Sequence, residues 1–318
     1  MQDFSGKIAV VTGGGTGMGR ALVRQLMSEG CDVATCDVIE ENLAETRAIC
    51  EAEAPQGVRI YTGLCDVALE DQVNQFADDV AKAFDTDHIH LLFNNAGIGG
   101  GGSFIDGDRG DWERTFNICW LGVYNFCRVF TPMLKNAPEG QVVNTSSVNG
   151  FWASLGGGIA HTAYSAAKFA VKGFSEALIT DFKLNAPHLS VSLVMPGHVG
   201  TDIGINSRKI LGGSNPEDMT NEEIERFREN IVQRMGGVEL TDDQIREAVR
   251  NQGQAFKQGG ITPEEAANII ITGVKNDEWR ILVGEDAKAL DRAVRSEPLK
   301  AYDEDFFMLL AQTRQSGD

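Results

Sequence analysis

The stretch Thr12-Gly13-Gly14-Gly15-Thr16-Gly17-Met18-Gly19 leaves few folds open, because of what stands on either side of it. Before it, Ile8 to Val11 is a short apolar run rich in β-branched residues. After it, Ala21 to Glu29 reads as a helix, with Met18, Leu22 and Leu26 recurring every four residues as an apolar stripe. Strand, glycine turn and helix in this order suit the binding of a dinucleotide. Glycines take φ > 0 and let the backbone approach a ligand closely, while the first N–H groups of the helix face a pyrophosphate. Gly13, Thr16, Gly17, Met18 and Gly19 are the expected contacts. A second strand, Asp32 to Cys36, ends at Asp37, whose carboxylate can accept both hydroxyls of an adenosine ribose and repel a 2′-phosphate. Neither Thr16 nor Val38 supplies the positive charge that NADP needs, so NAD is the expected cofactor.

The alternation continues with Val58 to Tyr61, Glu70 to Phe84, Ile89 to Phe93, Gln141 to Thr145, Leu189 to Met195 and Arg280 to Val283. That rhythm predicts an α/β fold, a parallel sheet wound by crossover helices. Ligands of such sheets lie outside the carboxyl ends of the strands. Asp66 and Val67 after the third strand are placed for an adenine, and Asn95, Ala96 and Gly97 after the fourth for a ribose; Asp66 also fits a helix N-cap. From Trp112 to Phe130 the chain reads as one helix, apolar on nearly all sides, with Phe116, Trp120, Tyr124 and Cys127 on one face. Asn117 is a lone amide among them, open to a structural role or to holding a water in a site.

Tyr164 and Lys168 are four residues apart in a helical segment, hence on one face, and an ammonium there favours the phenolate. The loop before them is rich in glycine around Gly156-Gly157-Gly158 and carries Phe151 and Trp152, candidates for an apolar substrate wall. Beyond Thr201 the rhythm breaks. Capping boxes at Thr220 to Glu223 and Thr241 to Gln244 open two amphipathic helices, and Thr262-Pro263-Glu264-Glu265 opens a third. The first two belong to an expected helical insertion over 202–261, within a single domain of 1–318 that ends in an acidic and aromatic tail, 298–318.

The formal charge of −18 excludes a nucleic-acid or acidic-membrane partner. Six scattered cysteines without CxxC spacing, and no signal or membrane segment, point to reduced thiols and a cytoplasmic location. No two of the five histidines make a ligand pair, so no metal is expected.

Together, Thr12-Gly13-x-x-x-Gly17-x-Gly19, Asn94-Asn95-Ala96-Gly97, Asn117, Ser147, Tyr164-x-x-x-Lys168 and Pro196-Gly197-x-Val199-x-Thr201 resemble the short-chain dehydrogenase/reductase family from about Lys7 to Pro298. The resemblance implies a Rossmann-type domain with a seven-stranded parallel sheet, and a homodimer or homotetramer. It implies that Ser147 holds the substrate oxygen, Tyr164 transfers its proton, Lys168 binds the nicotinamide ribose and Asn117 holds a water. Pro196, Gly197, Val199 and Thr201 would meet the nicotinamide. The 202–261 segment falls where this family keeps its substrate lid. The implied activity is NAD-dependent interconversion of a secondary alcohol and a ketone on a hydrophobic, aromatic or polycyclic molecule. The alternatives are an NADPH-dependent carbonyl reductase and a catalytically silent dinucleotide-binding protein.

Overall fold

The computed structural model describes residues 1–154, 159–235, 240–303 and 305–306, with the backbone alone over 229–235. The Gly156–Gly158 loop, the side chains of Ile231 and Met235, and the tail from Phe307 onward fall outside that description. The first half of the chain runs β1 (Ile8–Thr12), α1 (Gly17–Ser28), β2 (Asp32–Asp37), α2 (Glu40–Glu53), β3 (Ile60–Leu64), α3 (Glu70–Phe84), β4 (Leu91–Asn94), α4 (Arg109–Phe116) and α5 (Gly122–Asn136). The second runs β5 (Gly140–Thr145), α6 (Thr162–Asn185), β6 (Leu189–Pro196), α7 (Ile203–Ile210), α8 (Asn221–Met235), α9 (Asp242–Gln258), α10 (Pro263–Lys275), β7 (Arg280–Val283) and α11 (Glu285–Ser296).

The described strands form one seven-stranded sheet in the order β3-β2-β1-β4-β5-β6-β7. Every pairing is parallel. The order reverses between β1 and β4, which opens a crevice at the strands' carboxyl ends. Buried on both faces, the central strands read as near-continuous apolar runs. On one face α3, α5 and α6 cover the sheet with Phe76, Phe126, Phe130 and Val171. On the other, α1 and α10 pack Leu22, Leu26, Ile270 and Val274 against it. The third strand lies two residues later than its apolar run implies, because its pairing with β2 extends to Asp37↔Leu64, where an exposed edge Leu64 gives no pattern to read.

Between α4 and α5 the helix opens into a π-turn, Asn117–Leu121, with the Gly122 N–H donating to Asn117 O. The unbroken Trp112-to-Phe130 helix of the sequence reading is thereby corrected. Phe116 stacks on Trp112 at 5.4 Å, Trp120 pairs with Tyr124, and Cys127 turns inward to accept from Asn94 Nδ2 at 3.2 Å.

The segment after Thr201 holds α7, which the sequence reading lacks, then α8 and α9. All three expected capping boxes form: Thr220 and Glu223, Thr241 and Gln244, and Thr262 and Glu265 exchange backbone and side-chain bonds. Helices α8 and α9 share a small core of Met219, Ile224 and Ile245. The segment leaves and rejoins the sheet at one place, where Val199 bridges Ile261, Gly200 N donates to Ile261 O, and Ile261 N donates to His198 O. No helix among the described residues is long and apolar enough to cross a membrane.

Candidate active site

The crevice is lined by the β1–α1 turn, Asp37, Asp66, Val67, Asn95, Ala96, Gly97 and Thr201, so the residues expected to hold a dinucleotide do converge. The glycine turn is a cradle. Gly13 sits at φ +69°, and a Cβ there would stand 2.8 Å from Ala96 Cα; one on Gly19 would stand 2.0 Å from Gly13 O. Side chains at either position would fill the space that lets the turn fold against the β4 loop. Thr12 fixes that approach from below, its hydroxyl accepting from Asn95 N at 3.0 Å and Ala96 N at 2.9 Å, while Asn95 Nδ2 donates to Thr12 O.

At the end of β2, Asp37 accepts from Gly15 N, Val38 N and Ile39 N. Burial raises its pKa, and the three amides pull the other way. The nearest guanidinium, Arg20, is engaged by Gly15 O, Thr46 and Glu45, which leaves it occupied rather than offered to a 2′-phosphate. Asp66 caps no helix. One oxygen accepts from Ala68 N and the other pairs with Arg114 at 2.5 Å, a partner contributed by α4 that the sequence reading did not contain.

Lys168 is buried, and its Nζ donates to Thr145 O at 2.9 Å, lying 5.3 Å from the centre of the Tyr164 ring. Of the two serines closing β5, Ser146 is spent on the Lys168 carbonyl at 2.7 Å. Ser147 Oγ accepts from Asn149 N at 3.1 Å and lies within hydrogen-bonding reach of Tyr164, where it favours the phenolate. Burial pushes the Tyr164 phenol above its ordinary 10, against the pull of Lys168 and Ser147. That corrects the expectation of a lowered pKa: in the chain alone, desolvation outweighs one neighbouring cation.

Asn117 opens the π-turn, and Cys119 and Lys168 both lie near Gly97: a methyl group there would stand 3.4 Å from Lys168 Nζ and 3.6 Å from Cys119 Sγ. Cys119 is fully buried and its thiol reaches Ile98 O. A second correction is the apolar wall. Trp152 is buried with Leu290, Ala301 and Phe306, and its indole N–H donates to Ala301 O. Phe151 packs beside it under the Arg280 guanidinium. Both pack against the start of the tail.

Pro196 and Gly197 close β6, with Gly197 N donating to Val283 O. Thr201 lies across the crevice from Gly17, and α7 is tied over it by Asn206 Nδ2 to Thr16 Oγ1 and by Gly99 N to Ser207 Oγ. All six cysteines are free and buried, and among the described residues no cluster of three potential ligands gathers for a metal.

A parallel sheet with a glycine cradle at its switch point, and a tyrosine, lysine and serine beside it, defines an oxidoreductase of the nicotinamide-dependent class. The chain belongs to the short-chain dehydrogenase family, whose model matches residues 7–211. It is 32% identical over 295 residues to the oxidoreductase SadH of Mycobacterium tuberculosis, covering 93% of this chain and 92% of that one. A 3-alpha-(or 20-beta)-hydroxysteroid dehydrogenase of Mycobacterium bovis is 34% identical over 62% of this chain and 70% of its own. Among solved structures, a short-chain dehydrogenase/reductase of Burkholderia phymatum in complex with NAD superposes with a TM-score of 0.74 at 28% identity, over 93% of this chain and 95% of that one.

Proposed function

We propose that this chain is an NAD-dependent dehydrogenase that interconverts a secondary alcohol and a ketone on an uncharged hydrophobic molecule of aromatic or polycyclic type. The carrying observation is that Ser147 and Lys168 both act on Tyr164, with Lys168 Nζ beside Gly97 of the crevice whose lining includes Asp37. A bound nicotinamide supplies hydride chemistry; the protein handles the proton and the substrate oxygen. In oxidation, the Tyr164 oxygen takes the carbinol hydroxyl's proton as hydride leaves the same carbon and the C=O bond forms. Ser147 donates to that oxygen, and Lys168, anchored on Thr145 O, lowers the cost of the phenolate. The steroid named in the M. bovis relative supports a polycyclic substrate. Helices α7 to α9 act as the lid, since α7 already holds the turn and the β4 loop.

A screen of secondary alcohols for NADH formation tests the activity. For the cofactor, Asp37→Ala should move the NAD:NADP affinity ratio toward NADP; an unchanged ratio would remove the argument for NAD. We also propose self-association through α5 and α6, where Tyr124 is 42% exposed beside Trp120 and Phe174. A one-subunit mass in light scattering would count against it.

A further inference from the structure

His161 immediately precedes α6 and stands at its N-cap position without capping it. The backbone on either side is pinned. Its carbonyl accepts from Ser165 N, while Thr162 N and Ala163 N donate to Gly102 O and Gly101 O of the loop after β4. The Thr162 hydroxyl also accepts from Trp112 Nε1 at 3.0 Å. The imidazole is therefore carried at a fixed place, half-buried, with its ring 4.6 Å from that of Tyr164 and tilted 32° to it. Lys168 approaches the same tyrosine from one helical turn further on, so the two residues flank it. Among the described residues neither ring nitrogen of His161 has a hydrogen-bond partner, unlike His88, His90 and His198, each bonded within the fold.

A polar ring rigidly held against the proposed acid/base, with no hydrogen-bond partner among the described residues, keeps both nitrogens open to a ligand. Burial holds it near a pKa of about 4, so at neutral pH it offers one N–H donor and one nitrogen acceptor and carries no charge. A carboxylate or phosphate gains no counter-ion from it. A carbonyl or hydroxyl oxygen gains a hydrogen bond.

We infer that His161 binds a second oxygen of the substrate, on a carbon next to the one that reacts, and so directs the enzyme to uncharged vicinal diketones, hydroxyketones and diols in preference to simple ketones and alcohols. This rests on Tyr164 being the acid/base. It deepens that reading by giving the substrate a second polar handle, and it places a specificity-determining residue three positions before the tyrosine.

The test compares benzil with deoxybenzoin, the same skeleton with one oxygen fewer, as substrates for NADH-dependent reduction by wild type, His161→Leu and His161→Gln. NADH binding by each variant is followed by fluorescence titration to confirm an intact cofactor site. Wild type should prefer benzil in kcat/KM by about tenfold, the effect of one neutral hydrogen bond. His161→Leu should lose that preference through KM, with deoxybenzoin unchanged within about twofold, and His161→Gln, which keeps an N–H donor, should recover part of it. A wild type without the preference, or a leucine variant that keeps it, overturns the inference. Tyr164→Phe separates the two readings: turnover retained there would sink the acid/base assignment, whichever way the benzil ratio falls.

Discussion

The proton-transfer assignment turns on two residues whose effects oppose one another at Tyr164. Burial raises the phenol, and Lys168 lowers it. Alcohol oxidation needs the phenolate, so kcat/KM for oxidation should climb through the alkaline range, while ketone reduction, which needs the protonated phenol, should stay flat across neutrality. Lys168→Met removes the lowering charge and should move the oxidation limb to higher pH. Cys119→Asp, which sets a carboxylate near the same phenol, should move it in the same direction; a limb that stays in place in both variants would break the argument. Tyr164→Phe should cost about 10²- to 10⁴-fold in turnover with NADH binding kept, as stopped-flow and titration would show. Tyr164, Lys168 and Ser147 were legible in the sequence because each lies at a strand end or on one helical turn. Cys119 was not, because the π-turn at Asn117–Leu121 adds a residue that ordinary helical spacing does not count. Arg114 was hidden for a related reason, since its partner Asp66 lies on a different element.

Among the elements, the sheet and its crossovers were written in alternating runs and turn residues, and the starts of α8, α9 and α10 in their capping boxes. What the pattern could not assign was partnership between distant segments. Phe151 and Trp152 follow Ser147 in sequence, yet their packing partners lie in α11 and beyond it. The docked tail steadies the strand-end loop that carries Ser147. Asn149 Nδ2 holds Trp152 O and Ser154 O, while Asn149 N reaches Ser147 Oγ. Trp152→Ala should lower stability by about 3–5 kcal/mol, in line with emptying a buried tryptophan site, and urea unfolding would register it. A loss under about 1 kcal/mol would mean that the tail contributes little to the fold. Helix α7 escaped notice because its Ile203-to-Ile210 run is short and half polar, and it is held by Asn206 and Ser207 bonds that no periodicity announces.

The whole molecule should be sensitive to mild acid. His90 is buried and accepts from Ile8 N through Nδ1, a bond that its neutral ring alone can accept, and burial lowers both His90 and His161 from 6.5 to about 4. A folded-state pKa below the unfolded one means that the unfolded chain takes up protons first. Stability is therefore intact above pH 6.5, falls between 6.5 and about 4, and loses nothing more from these two groups below that. Urea midpoints at pH 7 and pH 5 would measure the slope, and a His90→Asn, His161→Gln double variant should flatten it; an equal slope in that variant would place the sensitivity elsewhere.

The bridge between Val199 and Ile261 bears on the molecule's history as much as on its shape. Because the chain leaves and returns at a single hydrogen-bonded seam, the part of it beyond α7 is a cassette whose length the sheet does not feel. Closing a longer loop costs only about 0.6 kcal/mol for each doubling. Lids of other sizes, spliced in between α7 and that seam, should leave the nucleotide crevice standing while exchanging one substrate range for another.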